Sequence, residues 1–151
     1  MFNSNREFTH KAQQDAIRSA SSYAHFSQNQ SLYQNKAVGT ALSAYQWALA
    51  DYFGMPEVVE IDISGWTGEI GQSIVIKARD NLMVLHVVVM ISEGSDGKSV
   101  FEAGEAEQSD TDRSSWIYTT SMVVPQKRGV CIDVIAYDLP GNSGERSLEL
   151  E

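Results

Sequence analysis

Near Glu57 the hydrophobic period of the chain changes from three or four residues to two, and this changeover limits the accessible folds more than any other feature. Before it, "FTHKAQQDAIRSASSYAHFS" places Phe8, Ala12, Ala16, Ala20 and Tyr23 on a narrow, mostly small-residue stripe of a helix, with Thr9 or Asn5 as the candidate cap. After the polar break "SQNQS", the segment "SLYQNKAVGTALSAYQWALADYF" carries Tyr33, Ala37, Ala41, Ala44, Ala48 and Leu49 on one side, flanked by Leu42, Tyr45 and Phe53. Gly54 and Pro56 end it, as a glycine just past a helix and a proline beyond commonly do. Either helix alone is marginal in water, and alanine faces let helices approach closely, so residues 1–56 are predicted to form a helical hairpin.

After Pro56 the apolar residues alternate. "VVEIDISG" sets Val59, Ile61 and Ile63 on one face and Val58, Glu60 and Asp62 on the other, and "SIVIKAR" sets Ile74, Ile76 and Ala78 inward with Lys77 and Arg79 outward. "WIYTTS" and "VCIDVIAY" read as later strands, the second with Val130, Ile132, Val134 and Ala136 inward. The turn clusters "SGWTGEIGQ", "RDN", "SEGSDGKS", "EQSDTDRSS" and "PQKRG" recur at short intervals with no helix-length crossover between them. That spacing predicts an antiparallel β-sandwich over 57–151 and an α+β chain overall. One strand, "MVLHVVVMI", is apolar on both faces, Val84, His86, Val88 and Met90 against Leu85, Val87, Val89 and Ile91. A two-sided strand is normally covered twice, so the hairpin is expected to pack on the outer face of the sheet that holds it.

The order of features from Val58 to Leu150 resembles a bacterial immunoglobulin-like or fibronectin type III-like module. The matching pieces are "RDNLMVLHVVVMI", "FEAGEAE", "WIYTT" and "GVCIDVIAYDLPGN". The resemblance implies an Asp-Asn pair before the third strand, a Trp-x-Tyr strand supplying core aromatics and a D-x-x-G-N turn after a late strand. The chain departs from it in having one cysteine, Cys131, and a helical segment in front.

Charge narrows the partners. The net charge is −9, and it is split unevenly: four basic residues against three acidic through Pro56, then seven against seventeen. So acidic a second part repels phosphate backbones and anionic lipid, which argues against nucleic-acid or membrane binding there and would attract basic partners or cations, although solubility is the favoured meaning of such a charge. A single cysteine excludes an internal disulfide and agrees with a reducing compartment. The N-terminal "MFNSNREFTHKAQQ" lacks the pattern of a cleavable signal, and a cytoplasmic location is expected.

Each candidate site competes with a plainer role. In "DLPGN" the Pro-Gly pair suits positions i+1 and i+2 of a type II turn, with Asp138 accepting a backbone hydrogen; the cation reading instead gathers Asp80, Asn81, Asp138 and Asn142 for calcium. Turn chemistry is favoured, since true calcium loops have denser acidic spacing. His86 and Cys131 lie mid-strand with no third residue to orient a base, and His10 and His25 are fifteen residues apart on a helix, too far to share a metal. The run "FEAGEAEQSDTD", with Glu102, Glu105 and Glu107, reads as a solvated edge-strand face with a bulge at Gly104. Trp66 either packs beneath the hairpin or anchors a partner, and Tyr33, Tyr45 and Trp47 share that ambiguity.

The leading expectation is a non-enzymatic protein-binding or assembly module without cofactor, with Trp66, Tyr33 and Trp47 as the candidate contacts. The alternatives are a small enzyme, such as a hydrolase, with its site between helices and sandwich, or a structural subunit of a phage or secretion apparatus that self-assembles through an exposed edge.

Overall fold

The computed structural model describes residues 4–94 and 99–151, with side chains from residue 11 onward. The chain divides into two compact units, Met1–Gly54 and Met55–Glu151. Among the described residues no helix is long and apolar enough to cross a membrane.

The first unit contains α1 (Ser4–Ser27), α2 (Ser31–Ala37) and α3 (Ala44–Phe53). The predicted second helix is therefore broken in two. Ser43 starts a new helix through a reciprocal cap, its Oγ accepting from Gln46 N at 3.2 Å while Gln46 Oε1 accepts from Ser43 N at 2.9 Å. The break is made by Gly39, whose φ of +76° leaves the helical region after α2, and the reciprocal cap then satisfies amide donors that would be orphaned at the new helix start. Asn5 and Thr9 fall inside α1 and not at its cap, and the side chains of Phe8 and His10 lie outside those described. The predicted stripe is buried only from Ala20 onward: Ala12 and Ala16 are exposed, whereas Ala20, Ala24, Ala44 and Ala48 form the small-residue seam where α1 meets α3.

The second unit is a two-leaf β-sandwich of β1 (Glu57–Asp62), β2 (Ser73–Arg79), β3 (Val84–Glu93), β4 (Ser99–Glu105), β5 (Glu107–Gln108), β6 (Ser115–Thr119), β7 (Val130–Asp138) and β8 (Ser143–Glu149). One sheet runs β1-β2-β6-β5 and the other β4-β3-β7-β8, with every pairing antiparallel. Ile74, Ile76, Trp116 and Tyr118 from the first leaf meet Val87, Val89, Ile91, Ile132 and Val134 from the second in one core. The chain passes between leaves at Ala106, whose amide still donates to Val87 O at 2.8 Å before β5 joins β6.

Two strands shift phase relative to the simple alternation. In β1 a register shift between Val58 and Glu60 turns Val58 into the core and Val59 out, before Ile61 and Ile63 return inward. In β3 a shift between Val84 and His86 lets Val84 share the core face with Val87, Val89 and Ile91, while Val88 and Met90 on the opposite face are half-buried. A bulge adds one residue and so reverses the in-out sense of everything before it. The bulge expected at Gly104 lies instead between Ile91 and Ser92, opposite Phe101, and Gly104 pairs regularly with Val89. Gly104 is small for another reason: a Cβ there would come within 3.3 Å of the Tyr118 ring. The turn cluster around residues 95–98 lies outside the described residues.

Along one side the leaves close on each other, β1 lying against β8. Arg146 Nη1 donates to Val59 O at 2.7 Å across this seam, and Gly144 sits so close that a Cβ would stand 1.9 Å from Pro56 O. Backbone cannot retreat as a flexible side chain can. Gly144→Ala is expected to lower stability by about 3 kcal/mol or more, a fall of over about 10 °C in melting temperature, while the exposed Glu145→Ala changes it by less than about 0.5 kcal/mol. Thermal denaturation of the two variants checks this.

Candidate functional site

At one end of the sandwich, the loop between β1 and β2 and the chain leaving β6 are fastened together. Gly71 N donates to Thr120 O at 2.7 Å, Thr120 N to Gln72 O at 2.8 Å and Val124 N to Gly68 O at 2.8 Å. Thr120, buried, adds its hydroxyl, donating to Glu69 O at 2.7 Å and accepting from Gln72 N at 3.0 Å. Gly68 is obligatory here: its φ is +95°, and a Cβ would lie 2.4 Å from Val124 O. Gln72 holds the loop from inside, its Oε1 accepting from Thr67 N and Glu69 N and its Nε2 donating to Thr67 Oγ1.

The anchor of this end is Glu102. Sequence alternation places it on a solvated face; the structure buries it, because the phase set by the bulge at Phe101 turns it inward with Gly104 and Ala106. Its Oε1 accepts from Tyr118 Oη at 2.6 Å, Ser121 N at 3.0 Å and Ser121 Oγ at 3.2 Å, and its Oε2 accepts from Met122 N at 3.1 Å. A carboxylate from one sheet thus supplies the acceptors that a longer β5 would have offered to the chain leaving β6. Burial, followed by the Glu102 carboxylate, pushes the Tyr118 phenol well above its ordinary pKa, so it stays a donor.

This frame displays three apolar side chains to solvent. The bonds from Gly71 and Val124 bracket Ile70 opposite Met122 and Val123, which are 61%, 50% and 48% exposed respectively. Sequence reasoning passed over them because two lie in an apparent loop and one in a turn cluster. The available signal was apolar residues in segments otherwise rich in turn formers.

The residues singled out from sequence lie elsewhere. Trp66 is 1% exposed within the sandwich core, with Lys127 Nζ donating to its carbonyl at 2.9 Å and lying 5.3 Å from its ring. Tyr33 is fully buried in the helical unit and donates to Asp51 Oδ2 at 2.7 Å, with Tyr23 hydrogen-bonded to the same hydroxyl. Burial, then these two partners, raise the Tyr33 pKa strongly. Trp47 is half-buried, its Nε1 donating to Thr40 Oγ1 at 3.1 Å under Lys36. His86 is exposed beside Glu105 at 3.7 Å and pairs with Tyr137, whereas Cys131 pairs with Ser92, six residues or about 20 Å along β3. They are not brought together.

Asp80 and Asp138 do converge, carboxylate oxygens lying within 4.8 Å. Asp138 is buried in the β7–β8 turn, where Oδ1 accepts from Gly141 N at 3.0 Å and Asn142 N at 2.7 Å and Oδ2 from Asn142 Nδ2 at 3.2 Å. The backbone turn closes from Gly141 N to Asp138 O at 3.2 Å, one residue earlier than the Pro-Gly pair suggested, because the carboxylate gathers those amides. Asn81 is exposed.

No protein-family model matches the chain, and no curated protein matches it. Among solved structures the chain is similar to a tetra-tandem repeat in the extending region of a large adhesion protein, at 15% identity and a TM-score of 0.37 over 65% of this chain. It spans 24% of that chain's length.

Burial raises the Asp138 pKa above 3.8 despite the opposing hydrogen bonds from Asn142 and Gly141. A carboxyl group whose pKa is raised by folding contributes stability that is fully present below its unfolded pKa and is lost as pH rises through the folded value. The unfolding free energy of the protein minus that of Asp138→Asn is therefore expected to shrink as pH rises above 3.8 and then to level off. A difference that grows with pH in denaturant titrations contradicts this.

Proposed function

We propose that the chain is a non-enzymatic protein-binding or assembly module whose sandwich presents the end carrying Ile70, Met122 and Val123 to a protein partner. The observation that carries the reading is the exposure of these three side chains on backbone held by buried Glu102 and Thr120. Apolar groups on a pre-ordered frame bind without the entropy cost of ordering a loop. The strand order, with β1-β2-β6-β5 facing β4-β3-β7-β8, supports an immunoglobulin-like assignment for the sandwich, a fold whose end loops commonly serve recognition.

The titratable groups support the same reading. Glu102 and Asp138 are engaged with backbone amides, and burial followed by Asp133 pushes the Cys131 thiol up, away from the thiolate form a nucleophile needs. A reduced, buried Cys131 also suits the cytoplasmic location that forms part of the proposal. Asp80, Asn81, Asp138 and Asn142 are read as turn chemistry. Millimolar calcium is accordingly expected to leave the melting temperature unchanged, and a rise of several degrees would instead make them ligands.

The paired variant Ile70→Ser/Met122→Ser tests the main claim. Used as bait beside the unaltered chain against proteins of the source cell, it is expected to keep its melting temperature within a few degrees and to lose a partner the unaltered chain recovers. Equal recovery by both rejects the binding end. A large loss of thermal stability would show that these side chains serve packing.

A further inference from the structure

A second surface feature lies on β6, the strand that leads into Met122 and Val123. The exposed Ile117 and Thr119 of this strand line an open depression of about 350 Å³ together with Glu107, Asp110 and Thr111. β5 is two residues long, pairing only Glu107 with Ile117 and Gln108 with Trp116, so its pairing along the edge of β6 ends at Ile117. Neither the Glu107 nor the Asp110 side chain holds an ion pair or hydrogen bond among the described residues. The neighbouring Asp112, by contrast, is bound by Ser114, Ser115 and Lys77. Five chain steps lead from Ile117 to Met122, so the Cα atoms of these two residues are at most about 18 Å apart.

We propose that this surface takes an extended, basic segment of a partner protein, with a lysine or arginine seated over Glu107 and Asp110 and apolar side chains on Ile70, Met122 and Val123. The inference rests on the binding-end reading and adds the chemistry of the partner. Charge complementarity carries it: the two carboxylates lack a cation of their own and stand on a part of the chain with seven basic residues against seventeen acidic ones. Such a field draws cationic segments in and repels acidic ones. The apolar end supplies contact area that charge alone does not, since exposed ion pairs contribute little each. Five or six residues of extended chain are long enough to reach from Ile117 to Met122.

The test uses the whole chain and three fluorescent six-residue peptides, followed by anisotropy at low and at physiological salt. One carries two lysines at one end and two leucines at the other; the second replaces lysine by glutamate; the third replaces leucine by serine. The lysine-leucine peptide is expected to bind tightest, to weaken with salt and to weaken at least about fivefold with Glu107→Gln/Asp110→Asn, while Glu145→Gln/Glu149→Gln on β8 changes nothing. Equal effects of the two acidic double variants, or equal binding of the glutamate peptide, overturn the basic-partner inference. So does weakening by Ile70→Ser/Met122→Ser with no change in Glu107→Gln/Asp110→Asn, an outcome that leaves the binding end standing. No peptide binding, combined with partner recovery lost only in the Ile70→Ser/Met122→Ser bait, likewise overturns the partner chemistry alone. No peptide binding with recovery unchanged in that bait removes both.

Discussion

The four hydrogen bonds accepted by Glu102 are the constraint around which the end of the sandwich carrying Ile70, Met122 and Val123 is arranged. A buried carboxylate must be met by donors or forfeit several kcal/mol of solvation, so wherever Glu102 lies, Tyr118, Ser121 and Met122 have to follow. Because Glu102 belongs to β4 and the donors to β6 and the chain beyond it, the same group ties one leaf to the other. Its satisfaction orders segment 121–124, and that order is what allows Met122 and Val123 to stand exposed instead of collapsing onto the core.

The core beneath is conventional in its physics. Ile74, Ile76 and Trp116 interdigitate with Val87, Val89, Ile132 and Val134, and burial of this apolar surface supplies most of the driving force for the second unit. What gives the sandwich its shape is where regular packing is interrupted. The bulges in β1 and β3 re-aim Val58 and Val84 into the core, and the seam at Gly144 and Pro56 lets β1 and β8 approach closer than any side chain allows. In the helical unit the interruption is polar: half-buried Tyr23, buried Tyr33 and buried Asp51 form a chain of hydroxyls ending on a carboxylate.

Much of this architecture is legible without coordinates, and the misses have a common origin. Alternation correctly places Ile74, Ile76 and Ala78 of β2 and Val130, Ile132, Val134 and Ala136 of β7 inward because neither strand contains a bulge, although Cys131 and Asp138 of β7 are buried as well. The same reasoning misassigns Val59 and Glu102, where one added residue reverses the faces and no local residue type announces it. The second helical segment reads as continuous because its alanines keep helical spacing, yet Ser43 with Gln46 three residues on is a capping signature visible in the sequence. Trp66 illustrates a different limit: a tryptophan in a polar loop is equally suited to a core and to an interface, and only the packed neighbours decide.

By itself the sequence determined the two periods, their changeover near Glu57, the antiparallel run of most strands, and the acidity of the second part. These are properties of neighbours along the chain and of summed charge, which exist before folding. Tertiary structure alone decided which face of a bulged strand is buried, that Glu102 reaches across to cap another sheet, and that the backbone around Ile70 is fastened to the chain carrying Met122 and Val123. Those pairings join residues tens of positions apart, and their energies arise only once the leaves are stacked.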